Sequence, residues 1–168
     1  MWCISMKTLS FLLLALLSSV AVADMAGQVM VENPFARAAI QQQRNSAAFM
    51  EFNNRGDAAG VVFAKSPVAR VVELHTHIND QGVMRMRKIN QIDLPAQHSV
   101  SLQPGGMHIM LLGLNRDLNP GDEIELTLGF IDGSEKKIQV PVHKVMMQKM
   151  KQMQGHKLNG SLPAMMHH

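Results

Sequence analysis

"DEIELTLGFIDGSEKKIQVPVH", residues 122–143, reads as two alternating runs folded about one turn. Ile124, Leu126 and Leu128 are spaced by polar or small residues, and Ile138, Val140 and Val142 repeat the pattern beyond Asp132-Gly133. A period of two places apolar side chains on one face of a strand and polar ones on the other. Asp-Gly between two such runs is the turn chemistry of a β-hairpin.

The same texture extends outward. "QVMVENPFAR" (28–37), "SAAFMEFNN" (46–54), "GVVFAKS" (60–66), "ARVVELHTH" (69–77), "VMRMRKI" (83–89), "HSVSL" (98–102) and "HIMLLGL" (108–114) are short runs of strand character. Turn residues separate them at Asn54–Asp57, Asn79–Gly82, Pro104–Gly106 and Asn119–Gly121. No helical period stands out before residue 143. Many short strands at regular spacing predict an all-β sandwich or small barrel.

The ends differ from this body. Lys7 is the only charge before the apolar run Leu9–Val22, and Ala21-Val22-Ala23 is a small-x-small site. Residues 1–23 therefore read as a secretory signal peptide, cleaved to leave Asp24 first, with the periplasm as the expected address. The single cysteine, Cys3, lies in that segment. The mature chain would then have no disulfide, thiolate ligand or cysteine nucleophile. No later run is apolar enough for stable membrane insertion.

Residues 24–143 carry 11 basic and 13 acidic side chains, whereas residues 144–168 carry four lysines and no acid. The basic balance thus belongs to a tail, and without aromatic interleaving it does not favour nucleic-acid binding. That tail holds six of the 15 methionines, and His143, His156, His167 and His168 are four of the eight histidines. It reads as a flexible Met/His-rich appendage, divided from the 24–143 β domain at residue 144.

Inside the domain, His75 and His77, Met84 and Met86, and His108 and Met110 are three doublets at i, i+2 spacing. Each doublet shares a strand face. A turn at Asn79–Gly82 would fold the first two towards each other, and the strand of His108 could complete a site. Imidazole with thioether is a soft donor set that suits Cu(I) or Ag(I) and not Mg²⁺ or Ca²⁺. Without a cysteine, blue-copper electron transfer is disfavoured. The residues alone leave a second reading open, with methionines as core and histidines as surface residues.

His75, Met86, His108 and Met110 also satisfy His-x10-Met-x21-His-x-Met. This resembles the motif of periplasmic copper chaperones of the PCu(A)C type, and "SPVARVVELHTH", "GVMRMRKI" and "LPAQHSVSLQPGGMHIMLLGL" are similar to family segments. The likeness runs from about Gln28 to Val142. It implies a cupredoxin-like Greek-key β-sandwich or barrel, with these four residues as Cu(I) ligands. It also implies delivery to a copper-accepting partner: a Sco-type protein, or the cytochrome oxidase subunit that carries the binuclear copper centre. His77 and Met84 fall outside the motif and stand as possible secondary ligands. Met107 is expected to pack on the core and His98 to sit in a loop. The tail histidines and His143 are candidate Cu(II) or Cu(I) capture groups.

The expected function is a non-enzymatic copper(I) metallochaperone, with copper or silver buffering for resistance as the alternative. An enzyme is disfavoured, since no tyrosine, usable cysteine or Ser/His/Asp context is present. A metal-free adhesion sandwich is the remaining reading.

Overall fold

The computed structural model describes residues 24–144. A short helix, α1 (Met25–Gln28), precedes ten strands. These are β1 (Val29–Arg37), β2 (Asn45–Asn54), β3 (Ala59–Lys65), β4 (Ala69–Asp80), β5 (Val83–Lys88), β6 (Ile92–Leu94), β7 (Ser99–Leu102), β8 (His108–Leu114), β9 (Glu123–Phe130) and β10 (Glu135–His143). The nine sequence runs all become strands, and β6 is an addition. With three residues, two of them buried, β6 is too short to show a period.

The strands form one path, β5-β4-β8-β2-β1-β10-β9-β3-β6, and β7 pairs with β2 beside β8. A parallel pairing of β1 with β10, at Ala36–Val142 and Arg37–His143, joins the two halves of the path. The path does not close, so the barrel form of the expectation gives way to an open, folded sheet with β5 and β6 at its ends. Phe52, Ile109, Leu111, Ile124, Leu126, Leu128 and Phe130 are among the side chains fully buried in the core. Each removes enough apolar surface from water to stabilise the fold by roughly 1.5–3 kcal/mol.

Local chemistry explains the interruptions. Asn33, at φ 47, and Pro34 lie where the β1–β2 register shifts between Glu32 and Phe35. A proline cannot donate to the ladder, so it is tolerated at a bulge. Gln81 and Gly82 both take positive φ, 51 and 87, between the paired residues Asp80 and Val83. This two-residue turn joins β4 tightly to β5, as both central residues of a type I′ turn require positive φ. The Asp132-Gly133 hairpin forms as expected, with Gly133 at φ 84 and its N–H donating to the Phe130 carbonyl at 3.0 Å.

Candidate metal centre

Strand β8 begins where β7 stops. Strand β2 pairs with β8 from Asn45 to Ala48 and with β7 from Met50 to Asn53, leaving Phe49 at the hand-over. Between β7 and β8 the chain leaves the sheet in a tight loop. The Gln103 N–H donates to the Met107 carbonyl and the Gly106 N–H to the Gln103 carbonyl, both at 2.9 Å. Gly105 takes φ 85 in that loop, a conformation that glycine adopts without steric cost. The loop leaves the Gly106 carbonyl facing two imidazoles: His108 Nδ1 at 3.1 Å and His77 Nδ1 at 3.2 Å.

Register collects the rest. The β4–β8 pairing sets His75 opposite His108 and Glu73 opposite Met110. The β4–β5 pairing sets His77 opposite Met86 and Asn79 opposite Met84. Cross-strand partners share a face, so all three sequence doublets lie on one outer face. Leu74, Ile109 and Leu111 on the same strands turn into the core. An open cleft of about 260 Å³ is lined by Phe49, His77, Met86, Pro104, His108 and Met110. His75 lies beside it, its ring centre 5.7 Å from that of His108.

Two ring nitrogens on this face stand without a partner. Among the described residues, His75 Nδ1 and His108 Nε2 are the buried side-chain polar atoms without a hydrogen-bond partner. A buried lone pair left dry costs free energy unless something binds it. A nitrogen–metal bond of about 2.0 Å puts a ring centre about 3 Å from the ion, so two rings on one ion have centres at most about 6 Å apart. The separation of His75 and His108 meets that condition. Among the described residues no three His, Cys, Asp or Glu side chains gather as a cage, and the thioethers of Met86 and Met110 are the further soft donors lining the cleft. The donor set fits a soft monovalent ion.

Charge is arranged around His75. Its Nε2 lies 2.8 Å from Glu73 Oε2, and Glu73 Oε1 accepts from Lys88 Nζ at 2.8 Å. The Lys88 hydrogen bond, then that of His75, holds the Glu73 carboxyl below its ordinary value. Burial pushes the His108 imidazole below its usual value, partly offset by the Gly106 carbonyl. Both effects favour a neutral His108 ring and an ionised Glu73.

The other expected residues are scattered. Met84 is 56% exposed, two residues nearer the hairpin than Met86, which is 46% exposed. Met107 is half-buried against the core, and His98 is exposed, its Nδ1 2.7 Å from the Ala96 carbonyl. His143 stacks on Phe35, which stacks on Phe49, which in turn packs against His108. It therefore stands at the far end of an aromatic row and not at the cleft. The signal-peptide expectation for residues 1–23 and the tail with His156, His167 and His168 lie outside the described residues. Glu73, Lys88, Phe49 and the Gly106 carbonyl were not anticipated. Glu73 shares the i, i+2 spacing of His75 and His77, a signal that could have found it.

Residues 29–142 match the model of the LpqE-like lipoprotein family. The chain belongs to that family. It is 37% identical over 99 residues to the protein Lxx21020 of Leifsonia xyli subsp. xyli, a match covering 58% of this chain and 60% of the relative. The chain spans about three fifths of the length of the curated relatives it matches. Among solved structures, the LpqE-like chain resembles Cu(I)-bound DR1885 of Deinococcus radiodurans at 31% identity and a TM-score of 0.53. That match covers 73% of this chain and 85% of the other. The copper-bound PCuAC domain of PmoF2 matches with a TM-score of 0.60 at 24% identity, over 70% of this chain and 94% of the domain, and so speaks to fold. The fold is the cupredoxin-like one of PCuAC domains, as the motif resemblance implied.

Proposed function

We propose that this chain is a copper(I) carrier of the cell envelope, and that His75, Met86, His108 and Met110 hold the ion. The observation that carries this reading is the pair of dry, unpartnered nitrogens, His75 Nδ1 and His108 Nε2, on a face shared with two thioethers. The Cu(I) form of DR1885 and the lipoprotein family support it from outside the chain.

Copper is cargo here, so the site must release as well as hold. Met86 sits on the end strand β5, nearly half exposed, where an incoming donor reaches the ion before the buried imidazole of His108 lets go. His77, opposite Met86, is placed to take up the vacated position. Stepwise replacement of this kind needs no change in oxidation state. The recipient implied by the motif is a Sco-type protein or the binuclear copper centre of cytochrome oxidase, and weak capture of Cu(I) by the tail would feed the same face without a redox step.

The test is competition of the full chain with a Cu(I)-specific chelator. One ion per chain is expected, with weaker binding in His108→Ala and Met86→Leu. Binding unchanged in both variants overturns the ligand assignment. Loss of oxidase activity in a deletion strain supports delivery, whereas loss of metal tolerance alone supports the buffering alternative.

A further inference from the structure

The donor nitrogens of the two imidazoles differ, and the structure shows what makes them differ. At His75 the outer nitrogen, Nε2, faces the Glu73 carboxylate at 2.8 Å while Nδ1 is buried without a partner. At His108 the pattern is reversed: Nδ1 faces the Gly106 carbonyl at 3.1 Å, and Nε2 is buried without a partner. A carboxylate or carbonyl oxygen only accepts, so each of these contacts requires the proton on the facing nitrogen. A proton on the opposite nitrogen would instead create a buried N–H with no acceptor.

From this we infer that Glu73 is a positioning residue, which fixes His75 as its Nε2–H tautomer and leaves Nδ1 as the Cu(I) donor. The Gly106 carbonyl fixes His108 in the opposite sense, with Nε2 as donor. The inference rests on the copper reading above and adds to it the atom by which each ring binds.

Three features make Glu73 more than a passing neighbour. It shares the face and strand of His75, two residues away, so no long side chain must be ordered to make the contact. Its second oxygen is occupied by Lys88 at 2.8 Å, and Lys88 is the cross-strand partner of His75. The carboxylate is thus held from both sides while its side chain is only 21% exposed. Glu73 is also the cross-strand partner of Met110, which places a negative charge beside the cation without using it as a ligand. A carboxylate hydrogen-bonded behind a ligating imidazole fixes ring orientation and raises donor strength, and its loss typically weakens metal affinity about 10–100-fold.

The experiment is nitrogen-resolved NMR of the histidine rings in the metal-free full chain, paired with Cu(I) competition titration. The wild type is expected to show an Nε2–H tautomer at His75 and Nδ1–H at His108. Glu73→Ala should release the His75 tautomer, leave His108 fixed, and weaken Cu(I) affinity by about 10–100-fold. Glu73→Gln keeps an accepting oxygen and should recover most of both readouts, which a loss through misfolding would not. An Nδ1–H tautomer at His75 in the wild type, or no tautomer change in Glu73→Ala, overturns the inference while leaving the copper reading intact. Failure of the wild type to bind Cu(I) overturns that reading, and the donor assignment with it.

Discussion

His77 on β4 stands directly opposite Met86 on β5, whereas His75, the histidine at motif spacing from Met86, stands opposite Lys88. Met86 therefore meets His77 across the strand and His75 on a diagonal. Diagonal neighbours on a sheet are still within reach of long side chains, and methionine, unbranched with three rotatable bonds, suits such a reach. Sequence spacing and cross-strand pairing thus select different histidines for the same thioether.

Met86 and Met84 are both exposed, yet only Met86 lines the cleft. Met86→Leu should weaken Cu(I) binding by about tenfold or more, equivalent to at least about 1.4 kcal/mol. Met84→Leu should change it by less than about twofold. Chelator competition measures both, and thermal unfolding of the apo forms should be unchanged. Equal losses would make Met84 a ligand.

His77 shares the Gly106 carbonyl with His108 and faces Met86. His77→Ala should leave equilibrium affinity within about threefold, under 1 kcal/mol, while slowing transfer of copper to a chelator in stopped-flow experiments. His75→Ala should show the reverse balance, with a clear loss of affinity. A large affinity loss in His77→Ala would move it into the resident ligand set.

Gly129 pairs with Phe63 across β3 and β9, and a Cβ at this glycine would overlap the Phe63 ring. Gly129→Ala should destabilise the domain by about 1–3 kcal/mol, as overpacking does. The double variant with Phe63→Leu should recover much of that loss in a urea titration. Additive losses would mean that the cost of Gly129→Ala does not come from the Phe63 ring.

Asp122 closes the turn into β9, accepting from the Asn119 N–H at 3.0 Å and from Arg116 at 2.8 Å. These two contacts, the Asn119 one first, hold its carboxyl below the ordinary value. Because the folded state favours the charged form, its contribution is complete above the unfolded value, about pH 3.9. It is lost as pH falls through the lower folded value. The stability advantage of wild type over Asp122→Asn should therefore be flat near neutrality and shrink from about pH 4 downward. Chemical denaturation across pH 2–7 checks this, and a gap that widens on acidification would contradict it.

Strand runs were legible because one-sided burial writes a period of two into the chain, as in Ile124, Leu126 and Leu128. The three-residue β6 was not legible, since Ile92 and Leu94 are too few to show a period. The tight loop before His108 was visible as Pro104-Gly105-Gly106, a return of the chain to the site, but the carbonyl it turns towards the two imidazoles was not. Hydrogen bonds from His77 and His108 to a main-chain oxygen leave no mark on residue identity. Pairing of His77 with Met86 depends on the Gln81–Gly82 turn being two residues long, and a one-residue slip would have turned every β5 side chain over. Glu73 was readable by spacing but silent chemically, because a lone carboxylate on a strand is ordinarily a solvated one.

Strand β5 carries a further consequence. It ends the sheet, and all six of its residues are exposed, so its outer N–H and C=O groups offer a template to any extended chain. Burying that edge under a helix or loop would shut away Met86. The strand instead alternates Met84 and Met86 with Arg85 and Arg87 and finishes on Lys88, and such charges repel edge-to-edge stacking between copies. Under the proposed carrier role, solubility and access to Met86 make opposing demands on the same six residues, and the arginines let a bare strand edge persist in a crowded compartment.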